Sequence, residues 1–359
     1  MGWVPSSNAW VAGSWLCVLM FVGGVAAGVA EDAQAAQDEK IPTYHAYTNL
    51  VQIPVLVLGS DRKPMAPVAE SRFFVSLDGG PKLRVTHARL EGDDPISLAI
   101  LLDVTQTDPR LLGKIDEAIA GLVPGSLHAN DRVVLYSLDC QLARVGSDAA
   151  TDGAMLKQDV DLTLQSWMRR GRRRAKGDCA KPWHLWDSIA AMTQTLSGQS
   201  GRRVILAVTD GVDRGSRNSW NGVMTYAQER AVAVFGLIQP ADLFAGGRVG
   251  RGGENPFNSV CELSGGMVLT AEEKNLAQQM ERFVALIRGR YVVEFPRPAS
   301  TTGGYHGMDI TIEKTSAFIR PTGIGVPVVD PAVLKDPMTI PSDPTKAPQL
   351  GKRKVLTPN

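Results

Sequence analysis

The chain is 359 residues long, enough for a large apolar core and for one to three domains. Its 38 basic and 37 acidic residues leave a formal charge of +1, so no global field points to nucleic acid or to a strongly acidic partner. With 44% apolar residues the composition is that of an ordinary globular protein, which excludes a fibrous or wholly disordered class.

Residues 1–30 contain no Lys, Arg, Asp or Glu, and from residue 10 onward they are almost all apolar or small. Gly28-Val29-Ala30 before Glu31 offers a small-residue cleavage site. The stretch reads as a secretory signal peptide outside the fold, and export to the periplasm, the outer surface or the medium is expected. It lacks a positive n-region and is long enough to stay as a membrane anchor, so an uncleaved form is the alternative. Export leaves Cys140, Cys179 and Cys261. One disulfide plus one buried thiol, or three separate buried cysteines, both fit that set. No Cys-x-x-Cys pair supports zinc or redox chemistry.

Residues 43–89 are β-like and belong to an amino-terminal β segment, 31–95. Pro54 inside the β-branched run 50–58 argues for an edge strand. Asp78-Gly79-Gly80-Pro81, between runs 72–77 and 82–89, is a hairpin signal. From 96 to 289 apolar runs alternate with helical stripes. Strands are expected at 96–102, 133–138, 203–208, 231–237 and 267–270. Leu112, Ile115, Ile119 and Leu122 stripe one helix, and Leu276, Met280, Val284 and Ile287 another. That alternation predicts an α/β fold: a doubly wound, mainly parallel sheet covered on both faces, with small β segments before and after it. The β pattern returns at 290–295, 308–312 and 318–320, giving a carboxy-terminal β segment, 290–330. Seven prolines follow residue 322, and 331–359 reads as a disordered tail.

The most informative stretch is Ile96-Ser97-Leu98-Ala99-Ile100-Leu101-Leu102, which runs into Asp103-Val104-Thr105-Gln106-Thr107. The apolar run reads as a strand buried on both faces. Asp103, Thr105 and Thr107 then sit at its carboxyl end, where open α/β sheets bind ligands. One carboxylate and two hydroxyls suit a hard cation, Mg2+ or else Mn2+ or Ca2+. A second apolar run, 203–208, ends in Thr209-Asp210-Gly211, which places Asp210 on the same edge, with Gly211 free to make the tight turn. The bland reading of Asp103, Thr105 and Thr107 is a helix cap.

Asp-x-Thr-x-Thr resembles the Asp-x-Ser-x-Ser metal-ion-dependent adhesion site of von Willebrand factor type A domains, and Thr209-Asp210-Gly211 resembles that family's second acidic loop. Asn49-Leu50-Val51-Gln52-Ile53-Pro54-Val55 and Arg290-Tyr291-Val292-Val293 extend the likeness to the type A-related bacterial proteins abundant in Acidobacteria. The resemblance implies Mg2+ held by Asp103, Thr105 and Thr107, with Asp210 reaching it directly or through water and an acidic residue of a protein or cell-surface partner as the last ligand. The family's third hydroxyl is absent. In Lys181-Pro182-Trp183-His184-Leu185-Trp186-Asp187, Trp183 stands where threonine is expected, and an indole has no oxygen to donate.

Two functional readings follow. In the first, the protein is a non-catalytic extracytoplasmic adhesion module using a degenerate metal site. In the second, it is a metal-free scaffold binding through an insertion at 167–186, in which Arg172, Arg173 and Arg174 lie between Trp167 and the pair Trp183 and Trp186. A solvated loop is the bland account of that basic run, and export argues against nucleic acid. No Gly-x-Ser-x-Gly, phosphate-loop or His-Glu-x-x-His motif is present, so the chain is expected not to be an enzyme. A phosphotransferase with an Asp-x-Asp-x-Thr motif is a poor third, because Thr105 replaces its second aspartate.

Overall fold

The computed structural model describes residues 45–47, 50–104, 106–146, 152–171, 182–244, 255–296, 304–323, 325–326 and 339–341. The signal segment 1–30, Thr105, Arg172, Arg173, Arg174 and Cys179 lie outside the described residues. Among the described residues, no helix is long and apolar enough to cross a membrane.

Five strands open the chain: β1 (His45–Tyr47), β2 (Leu50–Leu58), β3 (Phe73–Leu77), β4 (Leu83–Arg84) and β5 (His87–Leu90). The α/β part follows with β6 (Ile96–Asp103), α1 (Pro109–Ala120), β7 (Arg132–Leu138), β8 (Leu142–Val145), α2 (Gly153–Gly171) and α3 (Leu185–Ser197). It continues through β9 (Arg202–Val208), α4 (Trp220–Glu229), β10 (Val232–Ile238), α5 (Pro256–Leu263), β11 (Val268–Thr270) and α6 (Leu276–Arg288). Then come β12 (Tyr291–Pro296), β13 (Gly304–Tyr305), β14 (Met308–Ile312), β15 (Phe318–Pro321), β16 (Gly325–Val326) and β17 (Thr339–Pro341).

The central sheet runs β11-β10-β9-β6-β7-β8, parallel throughout except for the β7–β8 pair. Every residue of β6 and of β10 is buried, as continuous apolar runs in a sheet covered on both faces require. Leu98, Ile100 and Leu102 pack with α1, α2 and α6, whereas Ala99 and Leu101 pack with α3, α4 and α5. Strand order reverses between the neighbours β6 and β9. The switch point of this doubly wound sheet therefore lies at their carboxyl ends.

The segments before and after the α/β part combine. Strands β15-β2-β12-β5 form one antiparallel sheet and β14-β3-β4 another, around a shared core that includes Ile53, Val55, Phe73, Val75, Val293 and Phe295. The β3–β4 turn has Asp78 and Gly79 both at positive φ (52° and 69°), and the Gly80 amide donates to the Leu77 carbonyl at 2.8 Å. Strand β2 is an interior strand, flanked by β12 and β15, rather than the edge strand that Pro54 suggested. The Pro54 carbonyl accepts from the Thr322 amide, so its ring nitrogen faces the β15 side, one residue past the last β15 pair, Pro321 with Val55. The missing donor falls where the ladder has ended. Within the tail 331–359, Thr339–Pro341 pair in parallel with β1.

Candidate functional site

The site grows out of the register between β6 and β9, in which Leu102 stands opposite Val208. One residue on, Asp103 is buried, and the Thr209 hydroxyl donates to its Oδ2 at 3.0 Å. The Gly211 amide donates in turn to the Thr209 hydroxyl oxygen at 3.2 Å. Gly211 needs its glycine: φ is +76°, and a Cβ there would stand 2.9 Å from the Phe257 ring. Thr107 is buried as well, with its hydroxyl donating to the Val208 carbonyl at 3.2 Å. Neither Asp103 nor Thr107 is the helix cap. Asp108 is, accepting from the Arg110 amide at 2.7 Å, and this bond, outweighing burial, holds its carboxyl below the usual range.

Asp210 is already occupied. The Val212 amide and Arg214 Nη1 donate to its Oδ1 at 2.9 and 3.3 Å, and Arg214 Nη2 donates to Oδ2 at 2.5 Å. Arg214 is thus a fork across one carboxylate, four residues along the loop and with its side chain 43% exposed. Its hydrogen bond to Asp210, opposed by burial and aided by the charges of Asp210, Asp103 and Asp213, raises its pKa. This guanidinium stands in the field of the acids that would attract a metal. Nearby Asp242 is pushed up by burial and by the charges of Asp210 and Asp108.

The same loop is tied to the start of α3. Ser216 Oγ accepts from the amides of Trp186 and Asp187 at 3.1 and 3.2 Å, and donates to Asp213 Oδ1 at 2.6 Å. These groups satisfy helix-end donors that His184, at the N-cap, leaves without a side-chain partner. In return the buried Asp187 carboxylate accepts from the amides of Arg217 and Asn218 at 3.1 and 3.0 Å, and from Asn218 Nδ2 at 2.6 Å. Burial acts to raise the Asp187 pKa. The hydrogen bonds and the Arg217 charge outweigh it and hold the carboxyl below its ordinary value.

Tested against a divalent cation, the described members of this donor set, Asp103, Thr107 and Asp210, do not fit. Both oxygens of Asp210 are held by the guanidinium, and the Trp183 amide is bonded to the Cys140 carbonyl at 3.0 Å, leaving only an indole at that position. No cluster of three or more His, Cys, Asp or Glu suited to a metal occurs among the described residues. The structure brings Asp103, Thr107 and Asp210 to one edge, but it does not arrange them as an open cation site.

The tryptophans form no common surface. Trp186 is buried 6.2 Å from the Phe257 ring and Trp183 packs beside it, both on the α3–α5 face, whereas Trp167 packs with the α1 face. Trp186 therefore serves the core. Cys140 is disulfide-bonded, with its other half outside the described residues, and Cys261 is a buried thiol that burial pushes well up. Arg214 was missed by sequence reasoning; the available signal was a basic residue on the same short loop as Asp210.

No known family profile matches the sequence, and no curated protein matches it. Solved structures do. An aerotolerance-related membrane protein from Bacteroides fragilis, carrying multiple mutations to serine, is 14% identical, with a TM-score of 0.37 over 54% of this chain and 98% of that one. BatB from Bacteroides thetaiotaomicron is 17% identical, with a TM-score of 0.35 over 54% of this chain and 98% of that one. Proximal thread matrix protein 1 from the mussel byssus, with a zinc-occupied adhesion-site motif, is 10% identical, with a TM-score of 0.37 over 55% of this chain and 49% of that one.

Proposed function

We propose that the chain is a non-catalytic, exported recognition module resembling a von Willebrand factor type A domain, and that it binds an acidic group on a protein or surface partner without a metal ion. The observation that carries this reading is Arg214, whose guanidinium occupies Asp210 at the switch point. In a metal-bearing site the cation would take the partner's carboxylate as its last ligand. Here Arg214, half-exposed, and Arg217, with 87% of its side chain exposed, offer positive charge on the same loop. Arg110, 82% exposed, adds a third at the start of α1. Asp210 holds Arg214 in place, and the ties to α3 pre-order the loop, which reduces the entropy lost on binding. Of the two functional readings this is the metal-free one, with its centre moved from the tryptophans to the arginines of the 209–219 loop.

The test is binding of a fluorescent glutamate-rich peptide to the full chain, measured in Mg2+ and in EDTA. Equal, salt-sensitive binding in both, weakened about tenfold by Arg214→Ala with Arg217→Ala, is expected. Binding that requires Mg2+ and survives the double change would overturn the proposal.

A further inference from the structure

At the amino edge of the central sheet, away from the switch point, β6 and β9 begin beside a concavity of about 350 Å3. Its chemistry is set by a shortage of carboxylate. The side chains of Arg202 and Arg290 are 4% and 1% exposed, and both reach Glu91 Oε2, at 3.4 and 2.9 Å. One buried acid therefore serves two buried guanidinium groups. The adjacent Arg288 is already matched by Asp131 at 2.5 Å, and at the rim Arg89 pairs with Asp94 at 2.9 Å.

Arg202 also has a structural role, since its Nη2 donates to the carbonyls of Glu91, Gly92 and Asp94 and so fastens that loop to the sheet. This accounts for only part of the group. Its Nε makes the 3.4 Å ion pair with Glu91, and its Nη1, like Nε of Arg203, is buried with no hydrogen-bond partner among the described residues. Burial lowers the pKa of both arginines. Glu91 opposes this at Arg202, while at Arg203 the one further contribution is the repulsive charge of Arg230. Four guanidinium groups and two carboxylates line the pocket, an excess of two positive charges. A planar guanidinium fork suits an oxyanion.

We propose that this pocket binds a small phosphate dianion, either free phosphate or a phosphate monoester. Phosphate carries roughly −1.5 to −2 at neutral pH and several strong acceptor oxygens, which matches the charge excess of the lining. The site is separate from the carboxyl-edge loops, so it stands or falls independently of the function proposed above.

The experiment is isothermal titration of the full chain with inorganic phosphate and with glycerol phosphate, with acetate as a singly charged comparison. The variants are Arg203→Gln and Arg202→Lys. Among the described residues the only side-chain hydrogen bond of Arg203 is to the Ser197 carbonyl, so its replacement should leave thermal unfolding nearly unchanged. Arg202→Lys keeps the charge and removes the fork. Saturable phosphate binding, weakened about tenfold or more by each substitution and much weaker for acetate, is expected. Equal affinity for the two phosphates assigns the pocket to free phosphate, and tighter binding of the monoester assigns it to a phosphorylated compound. The proposal is overturned if neither phosphate gives saturable heat at millimolar concentration, or if binding persists undiminished in both variants.

Discussion

At the carboxyl edge of the sheet, buried Asp103 and Asp210 lie beneath a half-exposed arginine, whereas at the amino edge buried Arg202 and Arg290 share a single buried glutamate. Acid is buried at one end and base at the other. The consequences differ because exposure differs. A solvated Arg214–Asp210 pair contributes little to stability, while the desolvated cluster at Glu91 depends on every partner it has. One sheet can thus keep structural charge at one end and presented charge at the other.

The largest expected effect breaks the amino edge. Glu91→Gln would leave two buried guanidinium groups without a counter-charge, and a loss of about 3–5 kcal/mol in urea unfolding is expected. A loss no larger than that of a surface substitution would mean the cluster is not desolvated. Next comes the tie beneath the carboxyl-edge loop. Asp187→Ala removes three hydrogen bonds to a buried carboxylate and should cost about 2 kcal/mol. Because the folded pKa of Asp187 is depressed, its contribution is present above the unfolded value near ~3.9 and is lost as pH falls through the folded value. Unfolding measured from neutral pH down should therefore show a shallower acid slope in Asp187→Asn than in the parent.

Smaller still, Ser219→Ala deletes the cap that accepts from the Gly222 amide at the start of α4 and should cost about 1 kcal/mol by thermal unfolding. Arg214→Ala should change stability least, by about 1 kcal/mol or less. A drop as large as that for Glu91→Gln would erase the distinction between the two edges.

Much of this was legible where a short-range rule applies. The apolar run ending at Asp103, the stripe of α6 and the Asp78-Gly79 turn each follow from periodicity or backbone preference within a few residues. The pairing of β2 with β12 did not, because it joins residues such as Gln52 and Glu294, hydrogen-bonded at 2.8 Å across most of the chain. Pro54 misled for the same reason: which side its nitrogen faces depends on where a distant strand ends. At the site, Asp103 and Asp210 could be placed by the strands that carry them. The burial of Trp186 depends on α5, which supplies Phe257, and the roles of Asp213 and Ser216 depend on α3. The triad of Arg202, Arg290 and Glu91 comes from three elements far apart in sequence and has no local pattern. Arg214 was the one decisive residue within local reach, since it lies on the same short loop as Asp210.

The most direct test of Arg214 as the resident cation of the switch point is titration of Mn2+ into the parent chain, Arg214→Ala, and Arg214→Ala combined with Asp103→Ala. The account predicts no saturable binding at millimolar Mn2+ in the parent, binding in Arg214→Ala, and its loss when Asp103 is also removed. Saturable binding by the parent that is no tighter in Arg214→Ala would contradict it, because the guanidinium would then not be standing in the metal's place.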